Sequence, residues 1–228
     1  MKRSVLTAMV ALGVGAVGCA SPGTPSAAPP TPTAEEPTPT PTPTPTEQSE
    51  PEAERIIVGA EEILVLAADG SELAAYDYFQ NTSELIAGFT ELFGAPPVDT
   101  AFDGDTHAPP GIERNWDGFA ILDDEREPTP PHTPNHLVDV TTTEVNGITV
   151  ETADGFAVGT PAAEALAAPD AEPVNSETGQ VVQVDAVPLD FDDPICPESG
   201  CTLSVRLFTD ESGETLARIL APTPNFGP

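Results

Sequence analysis

The stretch from Ser21 to about Glu54 limits what this chain can fold into. It consists almost entirely of Pro, Thr, Ala, Ser and Glu, with Thr and Pro alternating from Pro37 to Thr46. Because it has no large apolar side chain to bury, it is expected to take extended polyproline conformations, which rise about 3.1 Å per residue. All twelve aromatic residues lie after it. A stalk is therefore predicted, followed by a folded region over residues 55–228, long enough for one domain or two small fused lobes.

The residues ahead of the stalk are typical of an export signal. Lys2 and Arg3 precede an apolar run that is too short to span a membrane, and small residues lead to Cys19. Ala16-Val17-Gly18-Cys19 resembles the lipobox of bacterial lipoproteins of the Gram-positive type, although that family usually has leucine where Ala16 stands. The resemblance implies a signal peptide over 1–18, a diacyl (palmitate-type) anchor on Cys19 and a stalk over 19–54. It places the protein on the outer face of the cell membrane, and an ordinary secretory signal is the alternative.

The charge of the chain restricts its partners. The sequence has 38 acidic and 7 basic residues, a formal charge of −31, and loss of Lys2 and Arg3 with the signal would leave about −33 with five arginines and no lysine. Such a charge excludes nucleic acid as a partner. It attracts a protein or cell-wall partner with a basic surface, but acidic bias also serves solubility alone.

The first half of the folded region predicts a hairpin, a helix and a strand. Asp69-Gly70 lies between apolar runs and predicts a hairpin in which Leu66 faces Leu73 and Leu64 faces Ala75. Asn81 and Glu84 form a capping-box pair ahead of an amphipathic helix that stops at Gly94. A strand is predicted over Arg114–Leu122. The expected fold class is α+β, an antiparallel sheet with short helices.

The second half repeats this order. Asn146-Gly147 predicts a hairpin between 137–145 and 148–152, with Val145, Ile148 and Val150 on one face, and Thr160-Pro161 opens a short helix over Ala162–Ala168. Three strands follow, over Val181–Val187, Thr202–Thr209 and Thr215–Ala221. We interpret this order as an internal duplication with repeats at 55–125 and 136–228, although any α+β chain can offer such coincidences.

The segment Asp154–Leu166, Asp-Gly-Phe-Ala-Val-Gly-Thr-Pro-Ala-Ala-Glu-Ala-Leu, carries a second resemblance. It resembles the small modules of outer-membrane-assembly lipoproteins of the SmpA/BamE kind and of the tandem β-lactamase-inhibitory proteins. The resemblance covers about 13 residues and implies a binding or scaffolding module that is not an enzyme. No contact residue of those families is matched in this sequence.

With Cys19 lipidated, two cysteines remain. Cys196 and Cys201 enclose four residues, and an oxidising exterior is expected to join them in a disulfide. The chain-entropy gain from so short a loop is about 2 kcal/mol. Neither cysteine has the cationic neighbour or two-residue spacing of a redox pair, so a structural role is the favoured interpretation.

The region from 99 to 136 is the most suggestive chemically, because it holds all three histidines and many acids: Asp103, Asp105, His107, Glu113, Asp117, Asp123, Asp124, Glu125, His132 and His136. They could form a weak divalent-cation site, but Pro134 breaks any helix that would align two of the histidines, and the calcium-loop pattern is absent. A solvated loop is the favoured interpretation.

Catalytic motifs are missing from the mature sequence, which has no nucleophile elbow, zinc-protease helix or phosphate loop. A hydrolase that uses two carboxylates such as Asp123 and Asp124 is the enzymatic alternative, and no cofactor is expected. The favoured function is a lipid-anchored, extracytoplasmic module that binds or scaffolds in the cell envelope. Its partner would be held either through charge or on a groove or sheet face bearing aromatics such as Tyr76, Trp116 or Phe119.

Overall fold

This computed structural model describes residues 52–104, 109–124, 133–176, 179–189 and 201–225, all within the compact unit Gln48–Pro228. These residues contain thirteen strands: β1 (Ala53–Val58), β2 (Glu62–Ala67), β3 (Glu72–Asp77), β4 (Val98–Phe102), β5 (Gly111–Trp116), β6 (Phe119–Asp124), β7 (Leu137–Val140), β8 (Glu144–Val145), β9 (Ile148–Thr152), β10 (Glu172–Ser176), β11 (Gly179–Leu189), β12 (Cys201–Thr209) and β13 (Leu216–Asn225). They also contain two helices, α1 (Thr82–Phe93) and α2 (Ala162–Leu166). The predicted signal peptide, Cys19 and nearly all of the stalk lie outside the described residues.

The strands form two sheets. One has five strands in the order β3-β2-β1-β9-β8, and the other has eight in the order β10-β11-β12-β13-β7-β6-β5-β4. Every pairing is antiparallel except that of β1 with β9, which is parallel. The described residues are thus mostly β, with two short helices, which agrees with the predicted α+β class only in coarse form. The parallel pair was not predicted because its strands are distant in sequence.

The hairpin of β2 and β3 turns at Asp69-Gly70, as predicted. Gly70 has a φ of 81°, and the Asp69 carboxylate accepts a hydrogen bond from the Ser71 amide at 2.9 Å. Leu64 lies opposite Ala75, which confirms the predicted register at that point. Leu66 lies opposite Glu72 rather than Leu73, because the register shifts between Val65 and Leu66. The predicted pairing of Leu66 with Leu73 is therefore wrong by one residue.

Helix α1 has the predicted ends. The Asn81 side chain caps it by accepting a hydrogen bond from the Ser83 amide at 2.9 Å, and Gly94 ends it in the left-handed conformation with a φ of 68°. The predicted strand over Arg114–Leu122 is instead the hairpin of β5 and β6. It turns at Asp117-Gly118, where both residues have positive φ. The turn signal that marked the first hairpin thus also predicts this one.

The predicted strand over 137–145 divides between the two sheets. β7 pairs with β6 and β13 in the eight-stranded sheet, whereas β8 pairs with β9 in the five-stranded sheet. The Asn146-Gly147 hairpin is therefore present but short, and its Val145, Ile148 and Val150 are all buried. Strands β4 and β10 were not predicted, and α2 ends two residues before the predicted Ala168.

The two sheets and α1 share one hydrophobic core. Phe89 of α1 is fully buried, and its ring centroid lies 5.0 Å from that of Tyr76 and 4.8 Å from that of Phe119. It therefore joins the hairpin of the five-stranded sheet to the inner face of the eight-stranded sheet. Neither helix in the described part of the chain is long and apolar enough to cross a membrane.

Candidate functional site

An open groove of about 540 Å³ lies between β3 and α1. Its wall is mostly apolar and contains one charged residue: Ala53, Val65, Leu73, Ala74, Tyr76, Gly88, Glu91 and Leu92. Leu73 is 38 % exposed. β3 is also an edge strand of the five-stranded sheet, so one side of its backbone has no strand partner among the described residues. These features give the groove the character of a small apolar binding site.

Gly88 makes room for the Tyr76 phenol in the wall of this groove. A methyl group at this position would lie 2.9 Å from Cζ of Tyr76 and closer still to the hydroxyl oxygen, which is nearer than real contacts allow. The Tyr76 ring packs against Phe89, with 5.0 Å between the ring centroids. A glycine within an amphipathic helix pattern is a sequence signal for such a close approach, and sequence reasoning missed it here.

Tyr76 and Glu91 supply the polar chemistry of the groove. Partial burial raises the pKa of the Tyr76 phenol, and the nearby Glu91 carboxylate raises it further. The phenol therefore stays protonated at neutral pH and can donate a hydrogen bond. The groove combines an apolar wall, one hydroxyl donor and one carboxylate, a set suited to an apolar group with a positive charge beside it.

A second candidate lies on the outer face of the eight-stranded sheet. Along its strands the core residues Val182, Leu207 and Ile219 alternate with Gln183, Arg206 and Leu220, which therefore face away from the core. Arg206 lies opposite Gln183 on one side and Leu220 on the other, and Phe208 lies opposite Arg218. We name the set Gln183, Ser204, Arg206, Phe208, Arg218 and Leu220 the arginine face, in which Gln183 and Ser204 are buried and the other four are partly exposed.

Arg206 differs from the other arginines that the structure describes. Those three each pair with a carboxylate: Arg55 with Glu151 at 3.2 Å, Arg114 with Asp123 at 2.6 Å and Arg218 with Asp139 at 2.7 Å. Arg206 has no carboxylate partner among the described residues, and its Nε is buried without a hydrogen-bond acceptor. A buried unpaired donor costs about 1–3 kcal/mol, more when it is charged, so such groups call for an explanation.

Arg218 does not compensate for this, because its own charge is already neutralised. It donates through Nε and Nη2 to both carboxylate oxygens of Asp139, at 2.7 and 2.8 Å. Its guanidinium carbon also lies 5.2 Å from the centroid of the Phe208 ring. Arg206 is thus the cation of the arginine face that no described carboxylate balances.

Of the three aromatic residues predicted for a groove or sheet face, Phe119 is the one that lines neither. Trp116 is 5 % exposed and Phe119 is fully buried, and both rings pack around Phe89. The Trp116 indole nitrogen donates to the carbonyl oxygen of Ala95 at 2.9 Å. Both side chains belong to the core, although Trp116 also lines a groove of about 260 Å³ beside Val98 and Asn146.

The predicted acidic and histidine-rich region comes together only in part among the described residues, where Asp103, Asp123 and Asp124 line one pocket. Asp105, His107, Glu125 and His132 lie outside the described residues, so their grouping stays a prediction. His136 is buried, with 2 % exposure, beside Tyr78, and neither ring nitrogen has a hydrogen-bond partner. The expectation that it lies in a solvated loop is wrong, and burial lowers its pKa to about 4. No group of three or more His, Cys, Asp or Glu within the described ranges could hold a metal ion.

Asp123 and Asp124 both line one pocket of about 400 Å³, together with Asp103. The two residues are neighbours on β6, so their side chains point to opposite faces of the sheet. One carboxylate oxygen of Asp123 accepts from Arg114 at 2.6 Å, and the other accepts from the Thr82 hydroxyl at 3.4 Å. Asp123 therefore serves as an ion-pair partner in this structure.

Two further acids, Asp170 and Asp185, accept backbone hydrogen bonds, and a third, Asp154, lies near them. Asp185 accepts from the Ala60 amide at 2.7 Å, and its own amide donates to Asp170 at 3.1 Å. Burial raises the pKa of Asp154, and the charges of Asp170 and Asp185 add to the rise. These contacts connect chain segments that are far apart in sequence.

Cys201 begins β12 and is 1 % exposed. Its predicted partner Cys196 lies outside the described residues, so the bridge between them stays a prediction. A bridge at this point would tie the chain just ahead of β12 to a buried position of the sheet.

Comparison with known proteins gives no match. No family model, curated protein or solved structure is significantly similar to this chain. The two candidate surfaces are therefore interpreted from their own chemistry.

Proposed function

We propose that the folded region is a binding or scaffolding module of the cell envelope, and that its groove between β3 and α1 binds an apolar partner segment that carries a basic residue. The observation that carries this proposal is the groove itself, with its apolar wall, the Tyr76 phenol packed over Gly88 and a single carboxylate. Burial of apolar side chains supplies affinity, and the carboxylate selects for a neighbouring positive charge.

The charge of the whole chain supports the same partner class. With 38 acidic residues, its field attracts basic surfaces and repels acidic ones before contact. Glu91 then provides a local partner for one cation inside the groove. Electrostatic steering and apolar contact, which the sequence presented as rivals, can therefore act on one ligand.

The alternative functions receive less support from the described residues. A hydrolase would need free, converging carboxylates, but Asp123 is engaged by Arg114. A cation site drawn from the histidine-rich region would lack His136, which lies in the core. We therefore propose a module that binds without catalysing a reaction.

We further propose that Cys19 anchors the module to the outer face of the membrane by a lipid. The lipobox-like sequence and the stalk behind it support this. In the Cys19→Ala protein, cell fractionation is expected to move the protein from the membrane to the medium while the folded region keeps its thermal unfolding curve. A Cys19→Ala protein that stays with the membrane would contradict the anchor.

We also propose an internal duplication, with boundaries that differ from the predicted 55–125 and 136–228. The order hairpin, helix and four strands occurs twice, first from β2 to β7 and again from β8 to β13. The two four-stranded units meet where β7 pairs with β13, and β4 and β10 form the opposite edges. This order supports repeats over 62–140 and 144–225, with β7 in the first.

The groove can be tested with two short peptides that differ only in charge. Acetyl-Leu-Lys-Leu-amide is expected to shift the backbone amide signals of Leu73, Gly88 and Leu92 in a ¹H–¹⁵N spectrum, and acetyl-Leu-Glu-Leu-amide is expected not to. Gly88→Leu should reduce the affinity for the lysine peptide about tenfold or more, because the new side chain competes with Tyr76 for the groove.

Ala87→Leu is the matched control, because it adds the same side chain at the exposed neighbouring position of α1. It should leave the affinity within about twofold of the wild type. Equal binding of both peptides, or shifts that survive Gly88→Leu, would contradict the proposed groove. Gly88→Leu is scored only if its thermal unfolding remains cooperative, and Glu91→Gln provides a second variant that leaves the packing unchanged.

A further inference from the structure

We propose that the arginine face is a second binding site, and that it takes a small monocarboxylate with an apolar body, held by the guanidinium of Arg206. This inference is independent of the groove, which lies between β3 and α1 and prefers a cation. Its starting point is that Arg206 lacks the carboxylate partner that the other described arginines have. In a chain with 38 acids, the three other described arginines each have a carboxylate within 3.2 Å, and Arg206 has none among the described residues.

The pairing of the strands explains why no described acid forms an ion pair with Arg206. On the row of Arg206, the carboxylates of Asp139 and Glu172 each stand two strands away, beyond Leu220 and Gln183. Two strand spacings are about 10 Å, and both oxygens of Asp139 already accept from Arg218. The positions directly beside Arg206 are a leucine and a neutral amide. The sheet thus keeps acids away from the one guanidinium it leaves unpaired.

The guanidinium is also partly removed from water. Its Nε is buried and lacks an acceptor. Neither terminal nitrogen is both buried and without a partner. A planar carboxylate that approaches the edge of a guanidinium can accept two parallel hydrogen bonds, and such a pair gains strength where water is excluded. A bound carboxylate would therefore give the buried N–H an acceptor that the described residues do not provide.

The size and charge of the ligand follow from the surroundings. Only one positive charge is left unbalanced on this face, so a monoanion matches it better than a doubly charged phosphate. Leu220 lies opposite Arg206, and Phe208 is two residues away on the same face, so they offer apolar contact to the rest of the ligand. The acidic chain repels a partner in proportion to its negative charge, which favours a small ligand over an acidic protein.

Benzoate is a suitable probe, with benzamide as its neutral analogue. Titration of the ¹⁵N-labelled protein with benzoate is expected to shift the amides of Gln183, Phe208 and Leu220, and benzamide is expected to leave them in place. Inorganic phosphate should bind more weakly than benzoate, and acetyl-Leu-Glu-Leu-amide should be no tighter. Tighter phosphate binding would overturn the monocarboxylate class, and tighter peptide binding would assign the site to a protein side chain.

Variants identify the residue responsible. Arg206→Gln should weaken benzoate about tenfold or more, and Arg206→Lys, which keeps the charge but loses the two-nitrogen fork, should weaken it about fivefold. Arg55→Gln removes one ion-paired arginine from the other sheet and should leave benzoate binding unchanged. If Arg206→Gln does not unfold cooperatively, Arg206→Lys decides. Benzoate shifts that are absent from the wild type, or that persist unchanged in the variants, would overturn the proposal.

Discussion

The groove beside α1 and the arginine face offer opposite chemistry on one strongly acidic molecule. The groove presents an apolar wall with a carboxylate, Glu91, whereas the arginine face presents a guanidinium that no described acid balances. The net charge of −31 agrees with the acidic groove but gives no indication of the unpaired guanidinium. Overall charge therefore governs which molecules approach this protein. The neighbours of each charged residue govern which ligand its surface can bind.

The largest expected effect comes from the core residue that joins the groove to the eight-stranded sheet. Phe89 contacts Tyr76 of the groove and Phe119 of the eight-stranded sheet, so Phe89→Ala should lower the free energy of unfolding by about 3–5 kcal/mol. Urea denaturation followed by circular dichroism measures this. Leu73→Ala is the control, because Leu73 is 38 % exposed and should cost less than about 1 kcal/mol. Equal losses in the two variants would contradict the shared core.

A smaller effect is expected from acid, through the buried His136. Its pKa is lowered from 6.5 to about 4, so the unfolded chain binds this proton more readily than the folded chain. The contribution is present above pH 6.5 and is lost as the pH falls toward 4, by about 3 kcal/mol in total. Urea midpoints at pH 7, 5.5 and 4 measure the change.

His136→Phe separates this effect from the titration of the many carboxylates. The variant lacks the titrating ring but retains the other acids, so its stability should fall less between pH 7 and 4 than that of the wild type. If the two proteins have the same pH dependence, then His136 is not buried in its neutral form as described.

The smallest effect sharpens the contrast between the two faces. Glu91→Gln should weaken acetyl-Leu-Lys-Leu-amide about threefold at low salt, and the difference should fade toward 1 M salt as the Debye length shrinks to about 3 Å. Benzoate binding should not weaken in the same variant. Calorimetric titration at two salt concentrations measures both, and an undiminished Glu91→Gln effect at 1 M salt would exclude a charge contact.

Local signals in the sequence predicted much of the fold. Asp69-Gly70, Asn146-Gly147, Asn81 and Gly94 act through their immediate neighbours, and each forms the predicted turn or helix end. β1 pairs in parallel with β9, and β7 pairs with β13 in a different sheet from β8. These pairings join distant segments, and periodicity within one segment carries no information about such partners. The shift at Leu66 has a similar cause, since a bulge depends on the packing of both strands.

The candidate sites were less predictable than the fold. Tyr76 was among the predicted aromatics, but its role depends on Gly88 of α1, and only the folded chain places the two together. Arg206 stands in an ordinary strand sequence, and its lack of a partner becomes visible only when its neighbours across the sheet are known. Trp116 and Phe119 were named as candidates for a groove or sheet face, because alternation alone does not state which face of a strand is covered.

The most direct test of two separate, oppositely selective faces is a single titration with both probes. The ¹⁵N-labelled protein is first saturated with acetyl-Leu-Lys-Leu-amide and then titrated with benzoate. We expect the peptide to shift the amide signals of Leu73, Gly88 and Leu92, and benzoate then to shift those of Gln183, Phe208 and Leu220. The affinity for benzoate should stay within about twofold of its value without peptide. Competition between the probes, or shifts of one common set of residues, would contradict it.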